Sequence, residues 1–263
     1  MLIDTHCHLD AAEFAEDRDT VVAAATAAGV SCIVVPAIEA ANFAAVRACC
    51  ARYAACAPAY GIHPLYVRQA GEQDLVALGE WLAREAAGPH PPVAVGEIGL
   101  DYFVAGFDAP RQEHFFVGQL KLARSADLPV LLHVRRAVDQ VLKGLRQSGV
   151  RGGIAHAFNG SRQQAEEFIK LGFKLGFGGA LTFSGSTRIR QLAASLPLDA
   201  IVLETDAPDM QPFFIGRHRN SPEYLPRIAA QLAELRGIAL EALLRATSAN
   251  VRAVLPGLAV PRV

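Results

Sequence analysis

The sequence begins with residues that could bind a metal ion, in the stretch IDTHCHLD at positions 3–10. His6 and His8 are two residues apart, so in an extended strand their side chains point to the same side. Imidazoles paired in this way suit a metal ion, but a polar start to a buried strand has the same pattern. The choice therefore depends on whether the rest of the chain supplies partners.

Four further ionisable residues come late in short apolar runs. They are Glu97 in VGEIGLD, His133 in LLHVR, His156 in IAHAF and Asp206 in LETDAP. Each alone has an ordinary explanation, such as a hydrogen-bonded core residue, a salt-bridge partner or a turn cap. Buried ionisable groups cost several kcal/mol each unless they are paired or metal-bound. Six such groups at corresponding positions, including His6 and His8, favour a metal site.

The types of donor in this set limit the ions that it could bind. Four imidazoles and two carboxylates suit Zn, Mn, or Mg with a tolerance for nitrogen. Six side chains exceed the four ligands of a tetrahedral zinc. They suit two divalent ions about 3.5–4 Å apart that share a bridging carboxylate. Glu97 is the natural bridge because it lies on a middle strand, whereas Cys7 points away from the histidines and is interpreted as packing.

Eight apolar, β-branched runs along the chain predict the strands that position these residues. The runs are 2–8, 32–38, 56–63, 93–101, 128–135, 152–158, 173–179 and 200–208. Segments with helical spacing separate or follow them, at 17–28, 41–54, 73–87, 110–126, 137–148, 162–171, 187–195, 222–236 and 239–253. At the start of the eighth helical segment, in RNSPE, Asn220 or Ser221 is predicted to cap the helix, with Pro222 at its first position.

Strands that alternate with helices predict a parallel sheet. Eight such units in 263 residues predict a closed, somewhat distorted (β/α)₈ TIM-type barrel, as a single domain over residues 1–263. An open doubly wound sheet is the competing fold, but the first strand is followed by no G-x-G-x-x-G motif and the chain has no P-loop. In a barrel of this class the active site lies at the carboxyl ends of the strands, where the ionisable residues fall.

Composition and charge narrow the setting in which the protein acts. The net charge of −1 argues against coating long stretches of duplex DNA, so any nucleic-acid contact must be local, for example at Arg135 and Arg136. Five cysteines without a C-x-x-C motif fit a reducing compartment. The uncharged run 21–38 is broken by glycine, serine and proline and is interpreted as core. We expect a cytoplasmic protein with no signal peptide, membrane segment or obligate protein partner.

Motifs in chain order resemble those of TatD-type metal-dependent hydrolases, a family of (β/α)₈ barrels in the amidohydrolase superfamily that includes deoxyribonucleases. They are THCHLD, GIHP, VGEIGLDY, LPVLLHVRRA, HAFNGS, LETDAPDM, RNSPEYLP and TSANVRAVL. The resemblance implies a first ion on His6, His8, Glu97 and Asp206, and a second on Glu97, His133 and His156. Departures at Ala157 and Asn159 touch no expected ligand, whereas the individual segment 211–221 bears on the substrate groove.

The resemblance also implies roles beyond metal binding. Asp206 is expected to orient or deprotonate the attacking water, and His63 of GIHP to contact the phosphate or assist the leaving group. The alternative for His63 is a structural residue before Pro64. Asp101 and Glu204 are expected to orient ligating imidazoles. Phosphates flanking the scissile bond are expected to meet Arg135, and less directly Arg217 or Arg219.

These features predict a deoxyribonuclease that cleaves phosphodiester bonds with a water activated by two ions, acting on single-stranded DNA or DNA ends. One alternative keeps the ions but hydrolyses a small-molecule amide, lactone or ester. Glu97 favours the TatD-like branch, because many relatives in the superfamily bridge their ions with a carboxylated lysine instead. A second alternative is hydrolysis of aminoacyl-tRNA esters, an activity attributed to some family members. A third, a non-catalytic metal-binding protein, is disfavoured because all six expected ligands are present.

Overall fold

The computed structural model describes residues 1–258, and the last five residues of the predicted domain, 259–263, lie outside this description. Within residues 1–258 the chain forms eight strands and nine α-helices. The strands are β1 (Leu2–Asp4), β2 (Val30–Pro36), β3 (Cys56–Tyr60), β4 (Ala94–Asp101), β5 (Val130–Arg135), β6 (Gly153–Ala155), β7 (Phe173–Phe177) and β8 (Ile201–Leu203). The helices are α1 (Arg18–Ala27), α2 (Phe43–Arg52), α3 (Glu72–Ala86), α4 (Ala109–Ser125), α5 (Val138–Ser148), α6 (Arg162–Lys170), α7 (Thr187–Ser195), α8 (Leu225–Arg236) and α9 (Leu240–Val254).

The strands form one parallel sheet in chain order, from β1 to β8, which confirms the predicted (β/α)₈ barrel. Several strands end earlier than the apolar runs suggested: β1 ends at residue 4, β6 at 155 and β8 at 203. Positive φ angles of 45° at Ala157 and 56° at Asp206 are incompatible with a strand ladder. The ionisable residues lie in the loops just after these strands: His6 and His8 follow β1, His156 follows β6 and Asp206 follows β8.

Backbone hydrogen bonds between the segments that follow β1 and β8 complete the barrel. The Thr5 amide donates to the Leu203 carbonyl at 3.1 Å, and the His8 amide donates to the Ala207 carbonyl at 2.8 Å. Between them, the Asp206 amide donates to the His6 carbonyl at 2.8 Å. This closure brings residues 200 positions apart in the chain next to each other, at the rim where the ionisable residues collect.

Two apolar layers hold the barrel. The outer faces of the strands pack against the helices, for example Leu132 with Phe116 and Leu120 of α4. Alternate strand residues form the inner layer, including Leu131 and Ile154, and this layer also contacts the end of α9. Apolar packing thus fills the interior at the level of the strands, and the polar residues that follow the strands lie above it.

The uncharged run 21–38 forms the end of α1 and then strand β2; β2 is largely buried, as the interpretation as core requires, whereas residues 26–29 at the junction of the two elements are exposed. Among residues 1–258, no helix combines the length and the apolar character needed to cross a membrane.

Candidate metal centre

Glu97 of β4 lies at the centre of the ionisable cluster and is only 2% exposed. Its carboxylate oxygen Oε2 is 3.1 Å from His6 Nε2 and 3.5 Å from His8 Nε2. Both histidines follow β1, and they reach the same carboxylate atom although the strand ends before them. The two imidazoles thus lie on one side of Glu97, as their spacing in the sequence predicts.

The other oxygen of Glu97 faces a second group of imidazoles. Its Oε1 is 2.9 Å from His133 Nδ1 and 2.9 Å from His156 Nε2. His63, which follows β3, places its Nε2 3.5 Å from the same oxygen. Glu97 therefore divides the surrounding nitrogens into two groups, one for each of its oxygens.

Asp206 lies beside the first group, on the loop after β8. Its Oδ1 is 3.7 Å from the Nε2 atoms of both His6 and His8, and 14% of its side chain is exposed. Donor atoms of His6, His156 and Asp206 also lie within 4.8 Å of one another. Burial raises the pKa of the Asp206 carboxyl. A buried carboxylate that keeps a path to solvent can both bind a cation and accept a proton from water.

The charges of the cluster are strongly coupled. Burial opposes ionisation of Glu97, but the imidazoles of His63, His156 and His6 outweigh this effect and hold its pKa well below the usual value. Burial also disfavours a charged His8, yet the carboxylates of Glu97 and Asp206 raise its pKa to about 9. The negative charge of the carboxylates thus attracts cations, whether protons on imidazole or metal ions.

The pKa values of His6, His8 and His156 show which rings are already neutral and which must lose a proton to bind a metal ion. Burial lowers the pKa of His6 to about 3, so its ring is neutral and free to offer a lone pair. Burial disfavours a charged His156, but the carboxylates of Glu97 and Asp206 raise its pKa to about 10. His8 and His156 must therefore release protons when they bind a metal ion.

Asp101 fixes the orientation of His133. The Nε2–H of His133 donates to Asp101 Oδ2 at 2.9 Å, while the other oxygen of Asp101 accepts from the Phe103 amide at 2.8 Å. Burial opposes ionisation of Asp101, but the hydrogen bonds from His133 and from the Phe103 and Val104 amides, with the charge of His133, together outweigh it, and the pKa falls to about 2. With its Nε2 proton held by Asp101, His133 presents Nδ1 to the cluster. A carboxylate behind a ligating histidine is a common arrangement in metal sites.

Glu204 lies behind His156 in a looser arrangement. Its Oε1 accepts from the Ala157 amide at 2.5 Å and is 3.8 Å from His156 Nδ1, which is longer than a hydrogen bond. Gly176 of β7 makes room for this carboxyl, since a Cβ at that position would lie 2.1 Å from Glu204 Oε2. Burial raises the pKa of Glu204 to about 8.

The hydrogen bonds of His63 decide which role it can take. The Leu65 amide donates to His63 Nδ1 at 3.2 Å. Burial lowers the pKa of His63 to about 4, so the ring is neutral and its single proton resides on Nε2. Nε2 faces Glu97 and His133, so His63 offers a hydrogen-bond donor to the cluster rather than a lone pair.

The donor atoms are spaced as ligands of shared ions would be. Bonds of about 2.0–2.2 Å from a cation to nitrogen or oxygen place neighbouring ligand atoms roughly 3.0–3.5 Å apart. The separations of 2.9–3.7 Å around Glu97 correspond to this spacing. The residues present therefore fit divalent cations.

Comparison with known proteins now identifies the family. A family model described as TatD related DNase matches residues 3–256. The chain belongs to the TatD family. An Escherichia coli K12 relative named uncharacterized metal-dependent hydrolase YjjV is 43% identical over 235 residues, which cover 89% of this chain and 90% of the relative. The crystal structure of that TatD homologue gives a TM-score of 0.93 at 40% identity and covers 99% of this chain and 98% of its own.

A further relative carries a more specific name. A Klebsiella pneumoniae protein named 3'-5' ssDNA/RNA exonuclease TatD is 34% identical over 260 residues, which cover 95% of this chain and 96% of the relative. The resemblance predicted from the motifs is thereby confirmed. The protein is a metal-dependent hydrolase of the TatD family that acts on ester bonds, with His, Glu and Asp clusters that can bind metal.

The basic residues expected near the substrate of this TatD-family enzyme fall into different environments. Arg135, at the end of β5, is exposed and lies over the Phe103 ring at 3.7 Å from its centroid. Arg219 instead donates to both carboxylate oxygens of Asp17, at 2.9 and 2.6 Å, and links the loop after β8 to the start of α1. Arg217 is exposed. Of these arginines, Arg135 is the one that is exposed at the end of the strand that carries His133.

Asn220 has a role that the sequence did not suggest. Ser221 is the N-cap residue of the following 3₁₀ turn, Pro222–Tyr224, with Pro222 at its first position as predicted, but no side-chain hydrogen bond caps the turn. Instead the Asn220 side-chain amide donates to the carbonyls of Thr205 and Asp209, both at 2.8 Å. Asn220 thus stabilises the loop that carries Asp206, because its amide pairs with backbone carbonyls of that loop.

Proposed function

We propose that this TatD-family protein is a deoxyribonuclease that hydrolyses phosphodiester bonds in single-stranded DNA with two divalent ions of Mg, Mn or Zn. One observation carries the proposal: the two oxygens of Glu97 face two different groups of imidazoles. A carboxylate placed in this way is the arrangement expected of a bridge between two ions. His6, His8 and Asp206 would hold one ion, and His133 and His156 the other.

The residues around the cluster suit attack by water on a phosphodiester. Bound divalent ions supply a lowered pKa for water and a positive charge beside phosphoryl oxygens. Asp206 would orient the water and accept its proton as the water oxygen bonds to phosphorus, a role that its raised pKa and partial exposure favour. The bond from phosphorus to the leaving oxygen then breaks.

Two donors would hold the substrate during this step. The Nε2–H of His63 can donate to a phosphoryl oxygen or to the leaving oxygen, because the Leu65 amide occupies the other ring nitrogen. Arg135 is exposed at the end of β5, two residues beyond His133, and would contact a flanking phosphate. Asp101 would keep His133 in place through its hydrogen bond, whereas Glu204 lies behind His156 at 3.8 Å and would bond it only after a small shift.

The comparisons and the cysteines support the wider setting. The Klebsiella relative is named as an exonuclease of single-stranded DNA and RNA, which supports a nucleic-acid substrate here. All five cysteines are unpaired and buried, as we expect of a protein that works in the reducing cytoplasm.

The test compares metal-reconstituted protein with a Glu97→Gln variant on end-labelled single-stranded DNA, single-stranded RNA and a D-aminoacyl-tRNA. Glutamine keeps the volume of the side chain but cannot bridge two cations as a carboxylate does. We expect wild-type cleavage of the single-stranded DNA and a loss of kcat of about 1,000-fold or more in the variant. The control is Glu80→Gln, at an exposed residue of α3, and it should retain full activity.

Two outcomes would contradict the proposal. Undiminished cleavage by Glu97→Gln protein with unchanged circular dichroism would remove the bridging carboxylate from the mechanism. Hydrolysis of the aminoacyl ester without any cleavage of DNA or RNA would instead identify an esterase acting on a different bond.

A further inference from the structure

An exposed aromatic patch lies beside the cluster on the loop between β4 and α4. Phe103 is 45% exposed and Phe107 is 41% exposed. Tyr102 stacks on Phe107, with ring centroids 4.7 Å apart and an angle of 12° between the planes. We name Tyr102, Phe103 and Phe107 the aromatic rim. Large apolar side chains that are exposed together beside a site indicate a binding surface, because exposing apolar surface to water does not stabilise the fold.

Two arginines at the end of β5 flank the rim: Arg135 is the last residue of the strand and Arg136 follows it. The guanidinium of Arg135 lies 3.7 Å from the centroid of the Phe103 ring, and that of Arg136 lies 4.6 Å from it. Both side chains are exposed, and neither forms an ion pair with any of residues 1–258. Two unpaired cations against an exposed ring attract a ligand that carries both negative charge and a flat face.

Hydrogen bonds tie the rim directly to the metal cluster. The Phe103 amide donates to Asp101 Oδ1 at 2.8 Å, and the other oxygen of Asp101 accepts from His133. The Tyr102 amide donates to the Arg135 carbonyl at 2.9 Å. Arg135 lies two residues beyond His133 of the cluster, and Phe103 lies two residues beyond Asp101, which bonds His133; two residues span about 6–7 Å along an extended chain. A ligand held by Phe103 is therefore adjacent to the site of hydrolysis.

We propose that Phe103 stacks an unpaired nucleobase of the strand that is being hydrolysed, on the part of its ring that Arg135 and Arg136 leave exposed. This proposal rests on the proposed function and adds the basis on which the enzyme recognises its substrate. Stacking on an aromatic ring requires a base with a free face, as in a single strand, whereas bases inside a duplex cover each other. The rim thus selects single-stranded over double-stranded nucleic acid, and the arginines hold the backbone next to the stacked base.

The experiment uses two single-stranded oligonucleotides with the same number of phosphates, one of thymidine and one with abasic sites throughout. Wild-type protein loaded with Mn²⁺ is compared with Phe103→Ala and Phe103→Trp by measuring kcat/KM on both. For Phe103→Ala we expect roughly a tenfold drop on oligothymidine relative to the abasic strand. Phe103→Trp should restore the wild-type ratio because tryptophan also stacks.

Further variants separate stacking from charge and from general surface effects. Arg135→Gln should weaken cleavage of both oligonucleotides alike and reduce the dependence of KM on salt. Val76→Ala, at a side chain that is 61% exposed on α3, should behave as wild type. An unchanged ratio of the two substrates in Phe103→Ala overturns the stacking proposal while leaving the nuclease intact. If wild-type protein cleaves neither oligonucleotide, the proposed function fails and this inference fails with it.

Discussion

At the scale of single residues, metal binding at the centre depends on which ring nitrogen of each histidine carries no proton. Asp101 shows this dependence most clearly, because its two oxygens have separate duties. One accepts from the Phe103 and Val104 amides, and the other accepts from His133 Nε2. His133 consequently turns Nδ1 towards Glu97. The position of one proton, fixed by a carboxylate outside the cluster, determines whether His133 can be a ligand.

Asp101→Asn should therefore weaken metal binding. Asparagine would keep its oxygen for the two backbone amides and turn its NH₂ group towards His133, which forces the imidazole proton onto Nδ1. We expect the affinity for one equivalent of Zn²⁺ or Mn²⁺ to fall about 10–100-fold, measured by isothermal titration calorimetry. Glu80→Gln serves as the control and should bind both equivalents like wild type. Unchanged affinity in Asp101→Asn would show that His133 needs no such support.

Residue types and spacing predicted the members of the cluster well but not their hydrogen bonds. His6, His8 and Asp206 could be grouped from their motifs because imidazoles and carboxylates are donors that suit divalent ions such as Zn and Mn. The role of Asn220 could not, because its amide binds carbonyls that become unpaired only when the backbone bends at Asp206. The stacking of Arg135 on Phe103 likewise depends on two loops that the sequence does not place side by side.

At the scale of secondary structure elements, the critical feature is the junction of β1 and β8. Asp4, the last residue of β1, accepts from the Thr205 amide at 2.9 Å and from the Thr205 hydroxyl at 2.5 Å. The His6 amide also donates to it, at 3.3 Å. Asp4 is fully buried, and burial raises its pKa to about 7. One side chain thus holds together the two segments that carry His6, His8 and Asp206.

Asp4→Ala should destabilise the protein by about 3 kcal/mol, because it leaves buried donors on Thr205 and His6 without an acceptor. Asp4→Asn should cost less, about 1 kcal/mol, since the amide oxygen still accepts from both backbone donors and a neutral group suits this buried position. Urea denaturation followed by circular dichroism measures both values. Glu80→Ala, an exposed change on α3, is the control and should stay within about 0.5 kcal/mol of wild type. A loss in Asp4→Ala no larger than in the control would contradict this role.

The elements themselves could be predicted from periodicity because each strand is a short apolar run between helical segments. The ends of the strands could not be predicted as well. The motifs THCHLD, IAHAF and LETDAP continue the apolar pattern past the last ladder residue, although the backbone turns at Ala157 and Asp206. Apolar composition reports burial, and the first loop residues of the centre, such as Thr5, His6 and Thr205, are as buried as the strands that precede them.

At the scale of the whole molecule, the centre joins distant parts of the chain. Its members follow β1, β3, β6 and β8 or belong to β4 and β5, so a shared ion contacts residues that are adjacent only in the folded barrel. Binding to the folded state alone stabilises it by mass action, by about 2.7 kcal/mol when the free ligand is at 100 times its Kd. The ions are therefore expected to contribute to the stability of the barrel as well as to hydrolysis.

Removal of metal should lower the melting temperature by about 5–10 °C relative to protein loaded with Mn²⁺ or Zn²⁺. Differential scanning calorimetry with and without a chelator measures the difference. In Glu97→Gln protein the difference should shrink to about 2 °C or less, because the bridging carboxylate is lost. Equal metal stabilisation of wild-type and variant protein would mean that the ions bind elsewhere.

The size of this stabilisation should depend on pH, with a sign set by the histidines. The pKa of His8 is raised from 6.5 to about 9, and that of His156 to about 10. Without metal, the protonated forms stabilise the fold, fully below pH 6.5 and less as the pH rises through 9 and 10. With metal, both rings must be deprotonated, so protons compete with the ions as the pH falls. Metal stabilisation should therefore be larger at about pH 8 than at about pH 6, and a difference in melting temperature that grows on acidification would contradict this prediction.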